Sequence, residues 1–146
     1  MTEIGFASDF GGQGTRLCDV KTTLEKIAKA GFTHVHWCHE WDGDYYYSRA
    51  EMELIKSWFD EYALKAKSLH ASKGSRIRTA IRKDTESRKD FTSANEYSRR
   101  AGVELIKNRL DLAQVLGATE IVLHMYVPYM TFQEEPGSEE IFYRQG

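Results

Sequence analysis

Along this chain, short apolar or alternating runs trade places with segments whose apolar residues recur every three or four positions, the two periods of strand and helix. Residues 3–7 open a first short strand, followed by a glycine-rich turn at 9–14. Helix 1 begins near Asp19, carries Val20, Leu24, Ile27 and Ala28 on one face, and stops at Ala30-Gly31. Residues 33–38 form strand 2, and an aromatic, acidic loop runs from 39 to 47. Ser48 to Glu51 has capping-box spacing, so helix 2 starts there, with Met52, Ile55, Phe59 and Ala63 as its apolar face. Strand 3 covers 67–71, and a long polar stretch follows from 72 to about 92. A second capping box, Ser93 to Glu96, starts helix 3, which continues through Ala101, Leu105, Ile106, Leu110 and Ala113 to Gly117. Strand 4, residues 120–125, is the most apolar, and 137–146 have the pattern of a helix beginning.

This alternation predicts an α/β fold: one domain over residues 1–146 with a parallel sheet and helical crossovers. The balance of 41% hydrophobic and 29% charged residues suits a packed core and excludes a disordered chain. A formal charge of −2 gives no electrostatic ground for binding nucleic acid. No apolar run reaches the ~20 residues of a membrane span, so no membrane partner is expected. Two cysteines without a CxxC pair, and an acidic start at Met1-Thr2-Glu3 in place of a leader, read as a reduced, cytoplasmic protein. The glycine-rich turn is no nucleotide fingerprint, because no GxGxxG opens a helix and no P-loop lysine follows.

Three segments carry a family resemblance. The first is Leu24-Glu25-Lys26-Ile27-Ala28-Lys29-Ala30-Gly31-Phe32, leading into strand 2. The second is Lys67-Ser68-Leu69-His70-Ala71, and the third runs from Ala101 to His124 and includes Ile106 to Ala113 and Ile121-Val122-Leu123-His124. Together they resemble the sugar phosphate isomerase/epimerase group of the xylose-isomerase-like (β/α)₈ superfamily, over nearly the whole chain. A full barrel takes roughly 250 residues, so the resemblance implies its first four βα units, an N-terminal half barrel. It also implies an active site at the C-terminal ends of the strands, and a small sugar or sugar phosphate as substrate. A divalent metal (Mn, Zn, Co or Mg) would be held mainly by carboxylates and a histidine of strands 5 to 8. Proton transfer next to the carbonyl would fall to glutamates there, so no residue of this chain is assigned as the acid or base.

In the related endonuclease IV branch, histidines ending strands 3 and 4 join a zinc cluster, which makes His70 and His124 the candidate metal ligands. Alternation places His36 and His70 on the face away from the helices, near the same mouth. His36, His70, Trp37, Trp41 and Arg76 are the candidate substrate contacts: imidazoles for hydroxyls, aromatic faces for the sugar's C–H surface, and a guanidinium fork for phosphate. His34 reads as structural, His39 has no readable orientation, and Glu40, Asp42 and Asp44 read as a solvated loop. Two alternatives stand beside the isomerase reading: a zinc-dependent phosphodiesterase, and a half barrel that associates without catalysis. The 146 residues alone are expected to be catalytically silent, and to pair with a second copy or a second half barrel because four strands leave two open edges.

Overall fold

The architecture comes from a computed structural model, which describes residues 4–9, 17–39, 45–73, 89, 91 and 95–124, the side chains of 17, 18, 72, 73 and 124 excepted. Four strands and three helices alternate: β1 (Gly5–Ala7), α1 (Leu17–Lys29), β2 (His34–Trp37), α2 (Arg49–Glu61), β3 (Lys65–Lys73), α3 (Glu96–Leu116) and β4 (Glu120–His124). The strands lie in one sheet in the order β1-β2-β3-β4, each parallel to its neighbour. The predicted βα order and parallel sheet are therefore observed.

Local chemistry sets the helix ends. The Ser48 hydroxyl caps α2 by accepting from the Glu51 N–H at 3.2 Å, while the Glu51 carboxylate takes the Tyr45 hydroxyl. The expected second capping box is corrected: Asn95, not Ser93, caps α3. Its carboxamide oxygen accepts from the Tyr97 and Ser98 N–H groups at 3.0 and 3.2 Å. A short Asx side chain directly before the helix reaches both free donors, and Glu96 is left to pair with Arg99 and Arg100. Gly31 (φ 87°) and Gly117 (φ 75°) end α1 and α3 in the left-handed conformation that lacks a Cβ clash. Ala63 does the same after α2 at φ 52°, and Leu64 N–H reaches back to the Phe59 carbonyl at 2.9 Å. Ala63 therefore lies beyond α2 and is exposed, not on its apolar face.

Two register shifts in β3 decide which side chains face where. Val35 pairs with Ala66 but His36 with Ser68, so Lys67 is an extra residue; His70 pairs with Val122 but Ser72 with Leu123, so Ala71 is another. The first bulge lets Ala66 and Leu69 both point at the helices beside Val35 and Trp37, all of them buried. They meet Leu24 and Ile27 of α1, Met52, Ile55 and Phe59 of α2, and Leu112 and Leu116 of α3 in one core. His36, Ser68 and His70 fall on the opposite face, half-buried. Val122 shares that face by register, and Leu123 is 41% exposed.

The inward face of α3 also departs from its apolar pattern. Gly102, Leu105, Arg109, Leu112, Ala113 and Leu116 are buried, and Leu110 is 49% exposed. The helix is rotated so that a fully buried arginine takes an inward position.

Candidate functional site

The site is built where β2 and β3 end on the face away from the helices. Because alternate residues of a strand share a face, His36 of β2 lands beside Ser68 and His70 of β3. His36 Nδ1 is 2.7 Å from Ser68 Oγ, and its Nε2 is 2.8 Å from His70 Nδ1. The two rings meet edge to face, centroids 4.7 Å apart. Cys38 follows two residues after His36 and brings its Sγ to 3.5 Å from the same His70 Nδ1. The end of β1 secures this corner: Ser8 N–H donates to the His36 carbonyl, and Ser8 Oγ accepts from the Cys38 N–H, at 2.9 and 2.8 Å.

Burial holds the His36 imidazole below its ordinary value, against the opposing pull of the Asp9 and Glu120 carboxylates. His36 is thus neutral near pH 7, one ring nitrogen donating and the other accepting. Burial pushes the Cys38 thiol up to about 12, and the adjacent Asp9 carboxylate, which accepts the thiol hydrogen bond, adds to this. As it stands the thiol is protonated and not a nucleophile.

The described part of the aromatic loop after β2, residues 45–47, is held by α3. Asn108 spans the Tyr47 backbone, accepting from its N–H and donating to its carbonyl, both at 2.9 Å. Arg109 donates from Nε to the Ala71 carbonyl (3.1 Å) and from Nη2 to the Tyr45 carbonyl (2.8 Å). Its guanidinium lies 4.7 Å from the centre of the Tyr47 ring. One buried side chain so ties the bulge beside His70 to the loop after β2. Tyr45 and Tyr46 are 42% and 41% exposed, and Lys89 Nζ sits 4.3 Å over the Tyr46 ring.

Of the sequence candidates, His36 and His70 come together. Trp37 is fully buried on the helix face, opposite His36, and its indole N–H donates to the Tyr47 hydroxyl at 3.3 Å; its surface is spent on the core. The backbone of His124 ends β4 in register with Lys73, but its side chain lies outside the described residues, as do Trp41 and Arg76. His34, expected to be structural, is 2.8 Å from the Thr33 hydroxyl at the other end of β2. Cys38, Ser68, Asn108 and Arg109 were not singled out. Cys38 and Ser68 had a signal, each sharing a strand face with a candidate histidine. Among the described residues, His36, Cys38 and His70 offer one group able to hold a metal, their ligand atoms all within 4.8 Å of one another.

No family model matches this chain. It is 36% identical over 129 residues to the uncharacterized protein y4fM of Sinorhizobium fredii (strain NBRC 101917 / NGR234), a match covering 84% of this chain. It spans 42% of that curated relative's length. Among solved structures it is similar to a D-psicose 3-epimerase in the presence of D-fructose, with 17% identity and a TM-score of 0.57. That match covers 84% of this chain and 37% of the other. An L-ribulose 3-epimerase gives 18% identity, a TM-score of 0.57, and coverage of 84% and 35%. A D-allulose 3-epimerase from Methylomonas sp. gives 22%, 0.56, and coverage of 83% and 36%. At these identities the likeness establishes the fold: a parallel four-stranded α/β unit matching part of a (β/α) barrel.

Proposed function

We propose that this chain supplies part of the active-site mouth of a sugar isomerase/epimerase, acting by proton transfer next to the carbonyl of a ketose or ketose phosphate. The observation that carries the reading is the pair of imidazoles, His36 and His70, held 2.8 Å apart on neighbouring strands of this barrel-type sheet. Polar groups converging at the C-terminal ends of barrel strands are where such folds do chemistry, and the three 3-epimerases that share the fold act on ketoses by name. In this reading His36 and His70 hydrogen-bond the sugar's hydroxyls, Tyr45 and Tyr46 offer it an aromatic edge, and Trp41 and Arg76 are kept as candidate contacts, the guanidinium for a phosphate. A divalent ion (Mn²⁺, Zn²⁺, Co²⁺ or Mg²⁺), for which His70 and His124 are the candidate ligands among these residues, would supply polarisation of the carbonyl and so acidify the neighbouring C–H. The acid and base are assigned to carboxylates of the whole protein outside these residues, and the 146-residue piece is silent by itself.

The test is turnover of a panel of ketoses and ketose phosphates by the whole protein, with Mn²⁺ or Co²⁺ added. The reading expects one substrate class to be converted, and expects His70→Ala to lower kcat/KM by roughly a hundredfold for loss of a substrate-orienting contact. No conversion across the panel, or full activity in His36→Ala and His70→Ala alike, would overturn it.

A further inference from the structure

The donors of the His36, Cys38 and His70 cluster have the identity and spacing of one class of metal. A tetrahedral zinc ion, with Zn–N of about 2.05 Å and Zn–S of about 2.3 Å, separates N from S by about 3.5 Å and N from N by about 3.3 Å. Cys38 Sγ and His70 Nδ1 already stand 3.5 Å apart. His36 Nε2 and His70 Nδ1 stand at 2.8 Å because a shared proton holds them. An ion replacing that proton needs these two rings to part by about half an ångström, and needs the His36 and Cys38 donors, which lie within 4.8 Å, to stand about 3.5 Å apart.

The surroundings agree with the donors. A ligating histidine ordinarily donates its other N–H to a fixed partner, which sets the tautomer. Ser68 Oγ stands at that place, 2.7 Å from His36 Nδ1, so a hydrogen bond from Nδ1–H leaves the Nε2 lone pair free for metal. The Asp9 carboxylate beside Cys38 acts on both Cys38 and His36. With the thiol proton released to solvent, thiolate and carboxylate together balance the two charges of the ion. Two imidazoles and a thiolate disfavour Mg²⁺ and Mn²⁺, which take oxygen ligands, and favour Zn²⁺ or Co²⁺.

We infer that His36, Cys38 and His70 form a three-ligand site for a soft divalent ion of the zinc type, its fourth position open on the exposed side of the two imidazoles. Three protein ligands and one exchangeable position is the pattern of reactive zinc sites. The site stands on these three donors, whether or not the substrate is a ketose; with the ion bound, His36 meets a substrate through the fourth position of that ion in place of a direct hydrogen bond.

Cobalt titration of the metal-stripped whole protein without oxygen tests it. Expected are a thiolate-to-cobalt charge-transfer band in the near ultraviolet and strong tetrahedral d–d bands, displaced by Zn²⁺ and not by Mg²⁺. Cys38→Ser removes the charge-transfer band, Cys18→Ser leaves it intact, Ser68→Ala weakens binding by roughly tenfold to a hundredfold, and His36→Ala weakens it further. A missing band, a band surviving in Cys38→Ser, or one lost in Cys18→Ser overturns the site. Should circular dichroism show Cys38→Ser unfolded, zinc-edge X-ray absorption on the parent protein decides. A shell of one sulfur with two imidazoles supports the site, and a shell without sulfur overturns it.

Discussion

Replacing Arg109 by methionine removes the one side chain that joins three parts of the site. Methionine keeps most of the aliphatic volume, so the loss falls on polar contacts. The Ala71 carbonyl, the Tyr45 carbonyl and Asn108 Oδ1 accept from Arg109 at 3.1, 2.8 and 3.1 Å. Leaving a fully buried acceptor without its donor costs about 1–3 kcal/mol, and part-buried acceptors recover some of this from water. Taking about 2 kcal/mol for Ala71, about 1 kcal/mol for Tyr45, about 0.5 kcal/mol for Asn108 Oδ1, which keeps the Tyr47 N–H, and about 0.5 kcal/mol for the Tyr47 ring contact gives about 4 kcal/mol. Relief from burying a charge lowers the net to about 3 kcal/mol. For a domain of this size that is a fall of roughly 10 °C in melting temperature. Arg109→Lys keeps the charge without the planar fork, and should lose about half as much. Urea unfolding followed by circular dichroism measures both. An Arg109→Met protein within about 0.5 kcal/mol of the parent would refute the clamp, since surface changes fall in that range.

The left-handed Ala63 strains the end of α2 by about 1–2 kcal/mol, and glycine returns about half of the gain as unfolded-chain entropy. Ala63→Gly should therefore stabilise by about 0.5–1 kcal/mol in the same assay, and destabilisation would contradict the assignment. Burial keeps His36 below its ordinary value of 6.5, so the unfolded chain binds that proton more readily than the fold. Its contribution is complete above about pH 6.5 and is lost as pH falls through the folded value. In metal-free protein, melting temperature should then drop more steeply on acidification in the parent than in His36→Asn; parallel curves would exclude His36 as the cause. In a polypeptide of these 146 residues alone, Val122 and Leu123 at 38% and 41% exposure, on an edge strand, should drive association. Light scattering should find a dimer or larger at micromolar concentration, and a stable monomer would count against it.

The sheet was legible because β2 and β3 keep buried residues (Val35, Trp37, Leu69) in alternation with His36, Ser68 and His70. The pairing of His36 with His70 followed from that phase. Periodicity failed where one residue breaks it. The extra Lys67 and Ala71 shift β3 against both neighbours, and nothing in Lys65 to Lys73 marks a bulge. Arg109 was invisible for another reason: an amphipathic reading sends charge outward, and the carbonyls of Ala71 and Tyr45, far off in sequence, help make burial favourable. Trp37 shows the converse, an aromatic that could as well line a pocket as a core until its phase opposite His36 is fixed. Cys38, two residues after His36, keeps the phase of that face although β2 ends at Trp37. Its place beside His70 comes from the Ser8 hydroxyl holding its backbone N–H.

Proton transfer next to a sugar carbonyl is the central step proposed for the whole protein, and solvent-proton exchange reads it directly. The whole protein, loaded with Mn²⁺ or Co²⁺ and incubated with ketoses in D₂O, should place deuterium on a carbon adjacent to the carbonyl. NMR of recovered substrate and product detects this even where net conversion is small. Wash-in is expected for one substrate class, strongly reduced in His70→Ala and unchanged by a remote substitution such as Lys29→Ala. Binding of the same ketoses without any deuterium entering beside the carbonyl would contradict it.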